Sequence, residues 1–160
     1  VDAAVEHFGQ LDVMYNNAGI VGAVGPISTT PAEEWQLTLD IHLNGSFYGC
    51  KHAARVMIPR QTGSIINMAS TAGLLGGQGP HAYAVAKHGL VGLTKNVAAE
   101  LCRYGIRVNC IAPAGMATAM VAGLAGDPEA IEATKARLAK TSPLKGRPGK
   151  AQDVANAALW

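Results

Sequence analysis

SIINM at residues 64–68 and IRVNCI at residues 106–111 are two short apolar runs, and a long helical pattern that stops at Gly105 lies between them. Strands of five or six residues that alternate with helices of more than twenty require crossover connections, and crossovers produce a parallel sheet. Parallel strands are usually buried on both faces, which would explain apolar runs without polar alternation. The segment predicts an α/β fold built on a parallel sheet.

The remainder of the chain continues this alternation. LDVMY at residues 11–15 is a further apolar run, and the turn residues Asn16–Gly19 follow it directly. A helix is predicted from about residue 31 to 59, with Thr30 as its N-cap and Pro31 at its first position. The later elements are predicted as a helix ending near Tyr104, a loop over 112–126, a helix over 128–141, a loop over 142–150 and a last helix from about Ala151. We find no internal repeat and no linker, so residues 1–160 are expected to form a single partial domain.

Composition excludes several classes of protein. The chain is 49% hydrophobic and 15% charged, which suits a globular fold, and its net charge of +2 is too small to indicate nucleic acid or an acidic membrane surface as a partner. No apolar run is long enough to span a membrane. Cys50, Cys102 and Cys110 are odd in number and lie in apolar segments, which favours buried, reduced thiols in a cytoplasmic protein over disulfides or a nucleophile.

Both ends of the chain have the character of interrupted helices. Residues 1–9 form a helical pattern without an initiator Met, a signal-peptide layout or an N-terminal cap, and residues 153–160 form a helical pattern without a stop signal. The expectation is that the sequence is a fragment of a longer chain.

A candidate catalytic pair lies on the helix that precedes IRVNCI. Tyr83 and Lys87 are four residues apart, and residues at this spacing share one face of a helix. A neighbouring cation favours the phenolate form of a tyrosine, so the pair predicts a proton donor and acceptor usable at neutral pH. Such chemistry interconverts an alcohol and a carbonyl, but the pair alone is weak evidence.

The positions of the polar clusters strengthen that prediction. Asn16 and Asn17 follow the first strand, Ser70 follows the second, and residues 113–118 follow the third. In open parallel sheets, ligands bind beyond the carboxyl ends of the strands. The sequence therefore predicts one shared site at this edge of the sheet.

Four motifs in this order resemble those of the short-chain dehydrogenase/reductase family. Asn16–Gly19 matches its NNAG motif, Tyr83 and Lys87 match YxxxK, Ser70 stands at the expected distance before the tyrosine, and residues 113–118 resemble PG-x-[IV]-x-T. The resemblance covers nearly the whole chain and is closest to NAD(P)-dependent alcohol dehydrogenases. It implies a Rossmann-like, doubly wound parallel sheet, which is incomplete here because N-terminal strands and the C-terminal strand are missing.

The resemblance also implies roles for individual residues. Tyr83 would be the general acid/base, Lys87 would bind the nicotinamide ribose, and Ser70 would hold the substrate oxygen. The implied cofactor-binding residues are Asn17, Ala18, Gly19, Tyr83, Lys87, Pro113, Gly115, Met116 and Thr118. Three alternatives stay open: Ser70 as a turn residue, Thr118 as a helix cap, and Asn16 as a support of the strand end.

The chain departs from the family pattern at two positions. His42 stands where the family has a catalytic asparagine, whose backbone carbonyl orients a water in a proton relay, so His42 keeps the relay through its own carbonyl or leaves it impaired. Ala114 replaces a glycine, which is tolerable if no positive φ is needed there. The family's glycine-rich pyrophosphate turn and its NAD/NADP selector would precede Val1, so the 160-residue chain alone is expected to be inactive.

The resemblance predicts an oxidoreductase that passes a hydride between a nicotinamide cofactor and a secondary alcohol or ketone. Residues 51–101 are most similar to family members that act on hydrophobic cyclic alcohols, which favours NAD, without excluding NADP. The full-length protein is expected to be a homodimer or homotetramer. The histidines show no metal-ligand spacing, so no metal is expected. The rival hypothesis is a non-catalytic binding or assembly protein on the same scaffold.

Overall fold

A computed structural model describes residues 1–124, 126–127, 129–142 and 146–159. The chain divides into two compact units, Val1–Ala112 and Pro113–Trp160. The first unit contains α1 (Asp2–Phe8), β1 (Val13–Asn16), α2 (Ala32–Leu39), α3 (Gly45–Met57), β2 (Gly63–Met68), α4 (His81–Leu101) and β3 (Ile106–Ile111).

The three strands form a parallel sheet in the order β1-β2-β3. Asn16 pairs with Asn67, and Asn67 pairs with Cys110, so these residues form one row across the sheet. Two helical crossovers connect the strands, as parallel pairing requires. The predicted α/β class with a partial Rossmann-like sheet is confirmed.

The long helix predicted over 31–59 is present but is not continuous. A π-helical segment, Asp40–Asn44, separates α2 from α3, and a 3₁₀ turn, Ile58–Arg60, follows α3. The N–H of Gly45 donates to the carbonyls of Asp40 and His42, which widens the helix by one residue at this point. Such π segments are frequent at functional sites and shift the helix axis.

The predicted N-cap of this helix is wrong by one position. Pro31 has extended backbone angles and its carbonyl accepts the N–H of Trp35 at 3.0 Å, so Pro31 is the N-cap. The hydroxyl of Thr30 donates instead to the carbonyl of Pro26 at 3.0 Å. Thr30 therefore stabilises the preceding turn and does not cap the helix.

The core of the first unit lies between the sheet and the helices α3 and α4. Its buried members are Cys50, Ala53, Met57, Ile65, Leu101, Ile106 and Val108. The expectation of buried thiols holds for Cys50, is wrong for Cys102, which is exposed, and holds only in part for Cys110. The expectation that the strands are buried on both faces holds only for the interior of β2. On β1 the side chain of Val13 is 53% exposed, and on β3 Arg107 and Asn109 are exposed. These residues alternate with the core residues, because the strand period places them on the opposite face of the sheet.

The second unit is mostly helical in its described part. Its helices are α5 (Ala119–Gly123), α6 (Ile131–Thr141) and α7 (Ala151–Leu159). The short helix α5 contradicts the predicted loop over 112–126, whereas the predicted start of the last helix at Ala151 is confirmed. Four parts of the predicted elements lie outside the described residues: residue 125 of the first loop, residue 128 at the predicted start of the next helix, residues 143–145 of the second loop, and residue 160. Within the described ranges, no helix combines the length and the apolar character that crossing a membrane requires.

Candidate active site

Tyr83 and Lys87 lie on the first turns of α4, as the sequence predicted. The Nζ of Lys87 is 5.3 Å from the centroid of the Tyr83 ring. The same Nζ donates a 2.6 Å hydrogen bond to the carbonyl of Met68, the last residue of β2. Lys87 is only 3% exposed, whereas Tyr83 is half-buried. The lysine is thus fixed between helix and strand, and the phenol next to it is accessible to a ligand.

Burial lowers the pKa of Lys87. Removal from water disfavours the ammonium form and lowers the pKa of Lys87 from 10.5 to about 8. A lysine with such a pKa exchanges its proton readily near neutral pH, which suits a group at the start of a proton relay.

Ser70 begins a tight turn that packs against the same part of α4. Its Oγ accepts a 3.2 Å hydrogen bond from the N–H of Ala72, at the start of the 3₁₀ turn Thr71–Gly73. A Cβ atom at Gly73 would lie 2.5 Å from the carbonyl oxygen of Lys87, so only glycine allows this approach. The turn role of Ser70 is therefore observed. Its predicted contact with a substrate oxygen stays a prediction.

The two asparagines that follow β1 have different environments. Asn17 and Ala18 are exposed and border a cleft of about 240 Å³, which is open to a ligand. Asn16 is buried, and its Nδ2 donates to the Oδ1 of Asn67 at 2.8 Å and lies 3.5 Å from the carbonyl of Ser46. These contacts are those of a strand-end support, the alternative considered for Asn16.

The partner of Asn16 was missed by the sequence analysis. Asn67 is fully buried, and its Nδ2 donates to the Oγ1 of Thr94 at 3.0 Å, which in turn donates to the carbonyl of Leu90 at 2.7 Å. The signal was an asparagine inside an apolar run, one residue before the end of its strand. This chain of hydrogen bonds ties β1 and β2 to α4 directly below the site.

We expect Asn67→Ala to lower the free energy of unfolding of the whole protein by about 2–4 kcal/mol, because it removes the 2.8 Å acceptor of the buried Asn16 amide and the donor to the buried Thr94 hydroxyl, and leaves a cavity in their place. Asn96→Ala is the matched control, since Asn96 is exposed on α4 and its replacement should change the free energy by less than about 0.5 kcal/mol. Urea denaturation measures both. Equal stability of the two variants would show that the buried network does not support the sheet.

His42 lies in the π-helical segment, close to Tyr83 and Lys87. It is 1% exposed, and its ring meets the Tyr83 ring edge-on, with centroids 5.2 Å apart and an interplanar angle of 87°. Its Nε2 lies 2.7 Å from the carbonyl oxygen and 3.2 Å from the nitrogen of Ile20. The structure therefore brings His42, Tyr83, Lys87 and the turn of Ser70 together in one region of the first unit.

The remaining predicted site residues, Pro113, Gly115, Met116 and Thr118, lie in the second unit. Thr118 precedes α5 as its N-cap residue, although its hydroxyl makes no capping hydrogen bond to a described residue. Gly115 packs closely on Leu138, because a Cβ atom there would lie 2.8 Å from that side chain. Among the described non-glycine residues only Gln61 has a positive φ, so Ala114 does not need the glycine that it replaces. The cofactor roles of these residues stay predictions.

The described residues provide hydrogen-bonding groups that can bind part of a nicotinamide cofactor. Asn17 and Ala18 are exposed and offer hydrogen-bonding groups beside the cleft, and Gly19 follows them without a side chain. The ammonium of Lys87 and the half-buried phenol of Tyr83 are donors on α4, and Lys87 lies at the carboxyl end of β2. This set can hold a ribose and exchange a proton with a bound oxygen.

Comparisons with known proteins show what this chain is similar to. A protein-family model described as Enoyl-(Acyl carrier protein) reductase matches residues 1–160. Momilactone A synthase of Oryza sativa subsp. japonica is 49% identical over 163 residues, and (+)-borneol dehydrogenase 2 of Salvia officinalis is 44% identical over 165 residues. Each alignment covers 100% of this chain and 58% of the relative. The crystal structure of levodione reductase matches with a TM-score of 0.89 and 38% identity, over 99% of this chain and 62% of that chain.

Proposed function

The chain belongs to the short-chain dehydrogenase/reductase family, and on this premise we propose that the whole protein is an oxidoreductase acting on a secondary alcohol or ketone with a nicotinamide cofactor. The observation that carries the proposal is the buried ammonium of Lys87 beside the half-buried phenol of Tyr83. An alcohol that loses a hydride must also lose a proton. Tyr83, with the ammonium of Lys87 beside it, can accept that proton.

Tyr83 is the general acid/base in this proposal. In oxidation its phenolate accepts the hydroxyl proton of the substrate, and in reduction its phenol returns that proton to the carbonyl oxygen. The hydroxyl of Ser70 donates a hydrogen bond to the same oxygen and stabilises its developing charge. When bound, the nicotinamide supplies the acceptor or donor of the hydride.

Lys87 and the segment after β1 bind the cofactor. The Nζ of Lys87 retains donors beyond the one it gives to Met68 and would hydrogen-bond the ribose hydroxyls. Asn17, Ala18 and Gly19 would line the trough, and the family resemblance assigns a role in nicotinamide binding to Pro113, Gly115, Met116 and Thr118. The backbone carbonyl of His42 would orient the relay water, a role that a change from asparagine to histidine preserves.

A hydrophobic or cyclic secondary alcohol is the proposed substrate class, with NAD as the cofactor and NADP as the alternative. The similarity to a protein named (+)-borneol dehydrogenase 2 supports the substrate class. Family membership supports a nicotinamide cofactor. We also propose a homodimer or homotetramer, supported by the exposed Phe47 and Tyr48 on α3 and Val85 on α4, with light scattering as its check.

The test is a turnover assay of the whole protein with NAD or NADP and a panel of cyclic secondary alcohols and their ketones. We expect reduced nicotinamide to accumulate with at least one hydrophobic cyclic alcohol, faster with NAD than with NADP. The rival is a binding or assembly protein on the same scaffold, motivated by His42. Cofactor binding without turnover across the panel would favour that rival.

A further inference from the structure

His42 makes contacts through its side chain that an asparagine is too short to reproduce. The imidazole projects from the π-helical segment between α2 and α3, and its Nε2 contacts the main chain of Ile20, in the segment after β1. At 2.7 Å, the contact with the carbonyl oxygen is that of an Nε2–H donor. Ile20 follows Gly19, the last residue of the predicted cofactor trough, so the imidazole holds this segment to the helix.

The ring also packs directly against two predicted site residues. A Cβ atom on Gly19 would lie 2.5 Å from the Cε1 of His42, which shows how closely the ring approaches that backbone. The edge-on contact with the Tyr83 ring, at 5.2 Å and 87°, has the favourable geometry of an aromatic pair. The His42 side chain thus contacts both the backbone of Gly19, in the segment proposed to bind the cofactor, and the ring of Tyr83.

The charge state of the ring argues against a role as a proton acceptor. Burial and the nearby Lys87 ammonium lower the pKa of His42, so the ring is neutral at neutral pH. With Nε2–H given to Ile20, the Nδ1 is an acceptor that has no hydrogen-bond partner among the described residues. Protonation there would create a second buried cation facing Lys87. A neutral, fixed ring suits positioning and disfavours proton transfer.

We propose that His42 is a positioning residue, whose Nε2 fixes the segment after β1 for the cofactor and whose ring orients the phenol of Tyr83. The proposal rests on the proposed function, since it assigns His42 to the same site. It separates two contacts of one side chain, so two substitutions can test them independently.

His42→Phe keeps an aromatic ring beside Tyr83 but loses the hydrogen bond to Ile20. We expect the KM for the cofactor to rise about 10-fold and kcat to stay within about 2-fold of wild type. The reason is that the cofactor-binding segment is held less firmly, whereas the phenol of Tyr83 keeps its position. His42→Gln retains an amide donor that can reach Ile20 but loses the ring. We expect kcat to fall about 10-fold with the cofactor KM little changed, because a misplaced general acid/base slows the chemical step.

Amide hydrogen exchange of the cofactor-free protein gives a second readout that needs no turnover. Loss of the Nε2–H bond to the Ile20 carbonyl should loosen the segment after β1, so exchange at the Ile20 amide should be about 10-fold faster in His42→Phe and unchanged in His42→Gln. His88→Gln is the control, because His88 is exposed on α4 and its ring hydrogen-bonds only the carbonyl of Ala84 among the described residues. All variants are assayed well below their melting temperatures.

The outcomes separate this proposal from the proposed function. A wild-type protein without Tyr83-dependent turnover defeats the proposed function, and exchange at Ile20 then still decides whether His42 holds the segment. If the two His42 variants change kcat and KM by the same factors, or if exchange at Ile20 does not differ between them, the positioning role is wrong.

Discussion

Tyr83→Phe is expected to lower kcat of the whole protein by more than about 100-fold, because it removes the proposed proton donor and acceptor and leaves the ring in place. The ring keeps its edge-on contact with His42 and its position beside Lys87. Stability and the cofactor KM should therefore change little. A fall in kcat with an unchanged KM is the result expected for an interaction that acts mainly in the transition state.

Tyr104→Phe is the matched control. It removes the same hydroxyl from a half-buried tyrosine just beyond α4, whose ring packs on the core and under the guanidinium of Arg103. We expect kcat within about 2-fold of wild type for this variant. Equal turnover of wild type and Tyr83→Phe would end the catalytic assignment and favour the non-catalytic rival.

The sequence predicted most of the first unit because its signals were local and strong. IRVNCI became β3 with the predicted bounds, Ile106–Ile111, and Gly105 stopped the preceding helix with a φ of 68°. The spacing of Tyr83 and Lys87 placed them on one helix face, as observed. Patterns of this kind depend on backbone geometry within a few residues, which a single sequence shows directly.

Features that depend on tertiary contacts could not be predicted in this way. The pairing of Asn16 with Asn67 requires the register of two strands that are fifty-one residues apart. The π segment at His42 leaves no periodic signal over five residues, and the exposure of Asn109 depends on which face the helices cover. Likewise, α5 is five residues long, too short for an amphipathic pattern.

Lys87→Met should have opposite effects on activity and on stability. Activity is expected to fall about 100-fold or more, because the ammonium beside Tyr83 and the donor to the ribose are lost. Burial of the Lys87 ammonium lowers the stability of the folded protein, since the pKa of Lys87 is about 8 in the folded protein and 10.5 for a free lysine. That difference corresponds to about 3 kcal/mol at ~1.36 kcal/mol per tenfold change in proton affinity. Loss of the hydrogen bond to Met68 offsets about 1–3 kcal/mol of it, so at pH 7 the variant should be as stable as wild type or slightly more stable.

The pH dependence of stability identifies the origin of that effect. Between pH 8 and 10.5 the unfolded chain binds more protons at this lysine than the folded protein does, so the free energy of unfolding of wild type gains a contribution as the pH rises. The contribution is fully present above pH 10.5, is lost as the pH falls to about 8, and should be absent in Lys87→Met. Lys95→Met, at an exposed position on α4, should keep the wild-type profile. If the free energies of unfolding of wild type and Lys87→Met change in parallel with pH, burial does not lower the pKa of Lys87. The proposal that Lys87 takes part in a proton relay would then lose its support.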